Sequence, residues 1–511
     1  MRSGLAALVI ALAVAACGGG GGGGAAGPTP PGPDGSLHDT TVYSSAPGGS
    51  LPATVVEAAA VTRHTLTIRG AAIPYTATAG HLTARHPVSG EAEASFFYVA
   101  YTADGGDAAT RPVTFFYNGG PGSASVWLHL GSFGPKRLAT GNPASDPPTP
   151  FPLVDNAESL LDVSDLVFVD AVGSGYSQAI APYTNQSFWG VDRDAAVFRD
   201  FVMRYLQANG REDSPKFLFG ESYGTARTAV LAHLLETAGV ALNGIVLQSA
   251  VMNYGSNCGV VSATISCAGY LPSYGAIGAH YTLVTPPPAD LPSFMTQMRG
   301  LTSASYDPAV ALWIASGTLP GDATLSQLSA STGVPASRWQ SRFNLDPGTF
   351  QTTLLPHVLI GRYDARVSAA ADSDLARGGD PSSAVIGGQF RTAIDNHLRN
   401  TLRYASASTY VLLSNAIASW DFSHDGAGLP DTVPDLAAAM AQNPALEVLA
   451  IGGYHDLATP FHQTERDLGR LGGPTRLTIR NYAGGHMTYL DDRTRAAQKA
   501  DLLGFYRQAM P

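Results

Sequence analysis

Short apolar runs that end in glycine turns alternate with helical segments along this chain, and that alternation limits the fold more than any other feature. The runs 113–117, 165–170 (DLVFVD) and 216–219 read as buried strands. Between the last two, Val197, Phe198, Phe201, Val202 and Tyr205 fall on one helical face, and Asn209-Gly210 stops the helix. A strand, a helix and a strand in that order predict parallel pairing. The pattern resumes with a small-residue helix after Gly224, strands at 244–248, 446–451 and 475–480, and a last helix over about 492–508. Ahead of it, from about residue 54, alternating stretches such as 65–68 and 95–101, separated by Gly and Pro turns, predict antiparallel strands. The expectation is an α/β fold with a central, mostly parallel sheet and helices on both faces. Its core comes in two parts, 51–254 and 441–511. Between them, residues 255–440 carry clustered prolines, helical segments and polar loops, and read as an inserted cap region over the sheet. A separate domain of unrelated role is the alternative. No internal repeat is evident.

The N-terminus follows a different logic. Met1-Arg2-Ser3-Gly4 precedes an apolar run from Leu5 to Ala16 and then Cys17, the layout of an export signal. That run of 12 residues is too short to span a hydrocarbon layer, which takes about 20 residues of helix. Val14-Ala15-Ala16-Cys17 resembles a bacterial lipobox, which implies that residues 1–16 are a lipoprotein signal peptide cleaved before Cys17. The Cys17 thiol is then lipidated, and the exported chain is lipid-anchored in the bacterial cell envelope, on a periplasmic or outer face. An ordinary cleaved signal with an incidental Cys17 is the alternative. The glycine run from Gly18 to Gly24 and the Gly, Pro and Ala-rich stretch after it predict a flexible tether over 17–50, with the folded part starting near 51. In an exported protein, Cys258 and Cys267 are a candidate disulfide closing a small loop, the alternative being two unpaired buried thiols.

The formal net charge is -10, from 30 Lys and Arg against 40 Asp and Glu, with no long run of either sign. That leaves no electrostatic footprint for nucleic acid and fits a dissolved small-molecule or peptide substrate. Oligomeric state has no signature in the sequence.

The chemistry concentrates in a few loops. Gly220-Glu221-Ser222-Tyr223-Gly224 follows the apolar strand 216–219 and precedes an Ala-rich helix, the strand, sharp turn and helix that a nucleophile elbow requires. A serine hydroxyl is a poor nucleophile at neutral pH, so it needs a base within reach and a third group that fixes the base's tautomer. Downstream, the strand 446–451 runs into Gly452-Gly453-Tyr454-His455-Asp456, and Asn481-Tyr482-Ala483-Gly484-Gly485-His486-Met487 puts His486 in a glycine-rich loop past another strand. Ser222 is the candidate nucleophile, His486 the general base and Asp456 the residue that orients it. Two backbone donors must face the developing oxyanion. The Tyr223 N–H is one candidate, and Gly120 of Asn118-Gly119-Gly120-Pro121-Gly122 is the other. Nothing resembles HExxH, and His455 and His462, which flank Asp456, are better explained by the triad than by a metal. No metal and no cofactor are expected.

In their order, FFYNGGPGS, GESYGT, GYHDLATP and AGGHM resemble the serine carboxypeptidase family, and DLVFVDAVGSGYS resembles that family's strand and glycine loop. The resemblance runs from about residue 90 to the end. It implies an α/β-hydrolase fold, a triad of Ser222, Asp456 and His486, and an oxyanion hole at Gly120 and Tyr223. It also implies a site for the substrate's terminal carboxylate at Asn118, Gly119 and Glu221. The implied reaction is hydrolysis of C-terminal peptide bonds through an acyl-enzyme, and the implied partner is a peptide with a free C-terminus. An esterase or acyltransferase on the same fold is the alternative, and a ligand-binding lipoprotein without turnover a more distant one.

Two positions depart from the family. Ser123 stands where the family has a cysteine, and counting along the motif puts Ser132 where eukaryotic members carry a second glutamate. In the family that acidic pair shares a proton, because like charges held close raise one pKa. With Glu221 alone, the expectation is a carboxyl that ionises at lower pH than in a paired site, and activity that extends to neutral pH.

Overall fold

The computed structural model describes residues 35–144, 150–262 and 264–510. The expected signal peptide, the lipidation site Cys17 and the run from Gly18 to Gly24 lie outside the described residues.

Strands β1 (Leu37–Asp39), β2 (Ala59–Ile68), β3 (Ala71–Arg85), β4 (Ala92–Ala103), β5 (Val113–Tyr117), β6 (Asp165–Val169), β7 (Lys216–Glu221), β8 (Gly244–Gln248), β9 (Glu447–Gly453) and β10 (Leu477–Tyr482) follow the expected order. The central sheet runs β10-β9-β8-β7-β5-β6-β4-β3-β2, with Gln178–Ala179 pairing off β4. From β6 through β10 all neighbours are parallel, while β2, β3 and β4 pair antiparallel and join the parallel part through β4 and β6. The inner parallel strands β5, β6, β7 and β8 are buried along their whole length and mostly apolar because both of their faces are covered, whereas the edge strand β10 is only partly buried. In β7, Phe217 and Phe219 enter one core and Leu218 the other, the alternation of a strand between two layers. The strands β6 and β7, joined by a helix, do not pair with each other: β5 lies between them.

Helix α1 (Val126–Gly131), α2 (Val191–Ala208), α3 (Tyr223–Thr237), α4 (Pro381–Asn396), α5 (Val433–Gln442) and α6 (Asp492–Gln508) surround this sheet. Ile386, Phe390 and Ile394 of α4 and Leu502, Phe505 and Tyr506 of α6 pack on one face. The apolar stripe of α2 from Val197 to Tyr205, with Leu231 and Leu235 of α3 and Leu436 and Met440 of α5, packs on the other. This is the α/β-hydrolase fold, a largely parallel sheet between helical layers.

Two expected boundaries move. Residues 35–50 were assigned to the tether, yet β1 pairs with Tyr404–Ser406, and the hydroxyls of Tyr43 and Tyr404 each donate to Oδ2 of the buried Asp39 at 2.7 Å. The glycine-rich composition ahead of this segment masked the few residues, Leu37, Asp39 and Tyr43, that anchor it. The cap, read as 255–440, is not one unit either. Residues 258–365 form a separate apolar core with Tyr454, Leu457 and Phe461, whereas α4, the chain from Tyr404 to Leu412, and α5 pack into the two cores of the sheet. Prolines and loops occur in both parts of this stretch, so the sequence pattern does not tell which core each helix joins. Cys258 and Cys267 are joined as a disulfide within the separate core, Cα to Cα 5.3 Å.

Candidate active site

Parallel strands bring their C-terminal ends to one edge of the sheet, and the loops after β5, β7, β9 and β10 meet there. Ser222 occupies the turn between β7 and α3 at φ +60°, ψ -128°, a strained conformation for a residue with a Cβ. Its N–H donates to the Gln248 carbonyl of β8 at 3.0 Å, and its own carbonyl receives the Thr225 N–H and hydroxyl, so the strain is held from both sides. The turn is crowded by the loop after β5: a Cβ on Gly119 would lie 2.5 Å from the Tyr223 nitrogen and 2.7 Å from the Glu221 carbonyl oxygen. Only glycine permits that approach.

The loop after β5 is fixed by buried groups. The Asn118 carbonyl receives Arg227 at 2.8 Å, and Arg227, itself fully buried, is paired with Asp194 of α2 at 2.7 Å. Asp170, at the end of β6, accepts from the Ser125 N–H and hydroxyl and from the Tyr410 hydroxyl. Burial pushes Asp170 up to about 6 despite those donors. Among the described residues, neither the Gly120 nor the Tyr223 N–H donates to an acceptor of the chain. Ser123, in place of the family's cysteine, accepts from the Trp127 indole N–H at 3.0 Å.

Asp456 follows β9 and is fully buried. Its Oδ1 accepts from the N–H groups of Ala458 (2.7 Å) and Thr459 (3.1 Å), and its Oδ2 lies 2.7 Å from His486 Nδ1. The Thr459 hydroxyl sits between the pair, 2.7 Å from Asp456 Oδ2 and 3.1 Å from His486 Nδ1. The two loops touch through glycines, since a Cβ on Gly453 would be 2.0 Å from the Gly485 carbonyl. The backbone of His486 is pinned as well: its N–H donates to the Tyr363 carbonyl, and its carbonyl receives the Ser249 hydroxyl and Gln248 Nε2. Burial would lower the His486 pKa, but the Asp456 carboxylate, and the Glu221 carboxyl behind it, leave it raised. His455 turns away into a buried site and His462 pairs with Glu465 at 2.8 Å, so neither joins this group.

Glu221 is buried beside Ser222. Its Oε1 accepts from Asn118 Nδ2 at 2.8 Å and its Oε2 from the Tyr489 hydroxyl at 2.6 Å. The expectation that Glu221 ionises early is overturned: desolvation by burial raises its carboxyl to about 7, outweighing His486 and the two hydrogen bonds that favour the charge. Ser132 does not face it. The Ser132 hydroxyl donates to the Leu128 carbonyl of α1 at 2.5 Å, and the place beside Glu221 belongs to Tyr489. Tyr489, Thr459, Gln248 and Ser249 are the site residues that motif reading missed. The position of Tyr489 three residues past His486, in the same loop, was the one available signal.

Asn118, Gly119, Gly120, Glu221, Ser222 and His486 all line a single cavity of about 350 Å³. Its other walls are largely apolar, with Trp127, Ile386, Leu412 and Met487. An apolar cleft with a few convergent polar groups is the usual form of a small-ligand site.

Among solved structures, the chain is similar to Kex1Δp, a prohormone-processing carboxypeptidase from Saccharomyces cerevisiae. The two are 13% identical, the match covers 85% of this chain and 91% of that one, and the TM-score is 0.55. It also matches a proline iminopeptidase from Mycobacterium smegmatis at 13% identity over 84% of this chain and 98% of that one, TM-score 0.36. A carboxylesterase, CesB, from Bacillus subtilis matches at 12% identity over 89% and 92%, TM-score 0.36. Residues 70–257, which carry the loop after β5, the turn at Ser222 and the strands between them, match the model of the serine carboxypeptidase family.

Proposed function

We propose that the chain is a serine-type carboxypeptidase. The family and the fold support a serine hydrolase; the reaction and its residues are our reading. Ser222 Oγ attacks the carbonyl of the last peptide bond while His486 Nε2 takes its proton, and Asp456 keeps the Nδ1–H of the imidazole pointed at itself. The oxyanion is received by the N–H groups of Gly120 and Tyr223. Collapse transfers the proton from His486 to the departing amine and leaves an acyl-enzyme on Ser222. Water, deprotonated by His486, then releases the shortened peptide and returns the proton to Ser222. A protonated Glu221 has an O–H to offer the substrate's terminal carboxylate, alongside the Asn118 side chain and the Gly119 N–H. The observation that carries the reading is the shared cavity: Ser222 and His486 open into the same 350 Å³ space as the Glu221 and Asn118 pair. The test is a peptide and its C-terminally amidated twin, each incubated with the chain and followed by mass. Loss of single residues from the free acid, with the amide cleaved far more slowly, is the expected result. Equal cleavage of both, or cleavage of esters alone, would defeat the reading. We also propose that the chain is exported and lipid-anchored through Cys17, on the strength of the Val14-Ala15-Ala16-Cys17 sequence.

A further inference from the structure

Away from the cavity, residues 421–432 strap the N-terminus of α2 to the flanks of α3 and α5. Asp425 and Gly426 form a two-residue turn: His424 and Ala427 exchange backbone hydrogen bonds at 3.0 and 2.9 Å, and the two central residues have φ +48° and +78°. Asp-Gly is a favoured pair for such a turn. It holds two potential ligands side by side, the buried His424 and the exposed Asp425. His424 Nδ1 lies 2.6 Å from Oδ1 of Asp192, in the first turn of α2, and Nε2 lies 2.9 Å from Oδ2 of Asp435, on α5. If Nδ1–H is donated to Asp192, Nε2 presents a lone pair to a carboxylate oxygen, an arrangement that needs a positive centre between them.

A second proton on the ring would serve that one contact, but the arrangement offers more than one. Asp425 Oδ2 is 3.7 Å from the same Nε2, and donor atoms of His424, Asp425 and Asp435 all lie within 4.8 Å of one another. The 2.9 and 3.7 Å from Nε2 to the two carboxylates are spacings that ligands take around one cation at about 2.0–2.2 Å each. Across Asp435, His233 of α3 places Nδ1 3.7 Å from Oδ1. A carboxylate on the far nitrogen of an imidazole, here Asp192, is also how ligating histidines are commonly oriented.

We propose that His424, Asp425 and Asp435 bind a divalent cation of the zinc type, with Asp192 orienting the imidazole. A site that combines imidazole with carboxylate favours such an ion over magnesium or calcium, which prefer oxygen alone. No spacing motif marks these residues in the sequence, from which no metal is expected. The role of the ion is to hold the strap. Trp420, where the strap begins, meets the Tyr223 ring edge-on at 5.2 Å, and the Asp421 carbonyl receives the Val191 N–H at 3.1 Å. A fixed strap therefore buttresses the residue that follows Ser222. The proposal does not depend on the reaction assigned above.

The test uses the full chain stripped of metal with a chelator, titrated with Zn²⁺ by calorimetry and with Co²⁺ by visible absorption. One equivalent should bind, with the intense bands of low-coordinate Co²⁺ that Zn²⁺ bleaches, and the melting temperature should rise with Zn²⁺ concentration. In Asp425→Asn and in Asp435→Asn, affinity should fall at least about tenfold, as expected when one ligand charge is removed, and the rise in melting temperature should shrink with it. Asparagine tolerates the left-handed position of residue 425, so the first variant keeps the turn. Absence of binding in the wild type, or unchanged affinity in either variant, overturns the proposal and leaves His424 as an imidazolium held by two carboxylates.

Discussion

Replacing Glu221 with glutamine separates the effect of burying this carboxyl from the effect of its hydrogen bonds. Burial lifts the group from its ordinary 4.5 to about 7, a difference of 2.5. At about 1.36 kcal/mol per pKa unit, that corresponds to about 3 kcal/mol. The folded state holds the proton more tightly than the unfolded chain. As the pH rises, the unfolded chain ionises first, and native stability falls from about pH 4.5 until the native carboxyl ionises near 7; above that the deficit stays constant. Glutamine is neutral throughout. It keeps an oxygen for Asn118 and offers an N–H to Tyr489, so Glu221→Gln should gain under about 1 kcal/mol at pH 5 and about 3 kcal/mol at pH 8 over the wild type. Urea unfolding at the two pH values measures this directly. Catalysis should follow the same logic. The fall in wild-type kcat/KM on free-acid peptides as Glu221 ionises should vanish in the variant. Because the Glu221 carboxylate also helps to raise His486, the acid limb should move to lower pH. An equal stability change at pH 5 and pH 8 would refute the claim that burial holds Glu221 protonated.

Ser222→Ala should abolish both turnover and labelling by a fluorophosphonate, lowering kcat by several orders of magnitude; labelling that persists would place the nucleophile elsewhere. Asp456→Asn should reduce kcat by about 10³–10⁴-fold with little change in KM, since the imidazole is left in the wrong tautomer; steady-state kinetics distinguish this from a loss of binding. Replacing Cys258 and Cys267 together by serine should lower stability by about 2–3 kcal/mol, the loop entropy of a short closed segment, seen as a lower urea midpoint. Cys17→Ser should release the chain from membranes in a fractionation experiment while leaving peptide hydrolysis by the released chain intact; an unchanged membrane fraction would remove Cys17 as the anchor.

The parts of the fold that the sequence disclosed are those where a periodicity and a stop signal coincide. β5, β6, β7 and β8 are continuous apolar runs because both faces are buried, and α2 shows a stripe that ends at Asn209-Gly210. The loops that carry Ser222, Asp456 and His486 were legible for a related reason: the sharp turn at Ser222 and the close contact of the other two loops both demand glycine, so these loops carry their own punctuation. The region 255–440 lacks such punctuation. Helix α5 packs on α3 and α4 packs over α1, but their apolar residues would serve a separate cap core equally well, so their assignment depends on long-range contacts. The start of the fold was hidden in the same way, since the partners of Asp39 include Tyr404, 365 positions away.

The neighbourhood of Glu221 shows where reading by motif stops. Counting from Asn118 identified a serine where a second acid was expected, and a missing like charge predicts a lower pKa. A partner's charge is only one source of such a shift. In the folded chain a tyrosine 268 positions away, Tyr489, lies over Glu221, and its hydroxyl, like Asn118, favours the ionised form. Both donors push against the upward shift, and Ser132, bonded to Leu128, has no part in it. What remains is chiefly desolvation, joined by the charge of Asp456, and burial of that kind is a property of the assembled site rather than of any one position. A second glutamate is one way to keep a carboxyl protonated near neutral pH, and removing water from a single glutamate is another. The two differ in a measurable respect. A pair sharing a proton ionises in two linked steps, whereas Glu221 should titrate as one group near pH 7, under the opposing charges of His486 and Asp456.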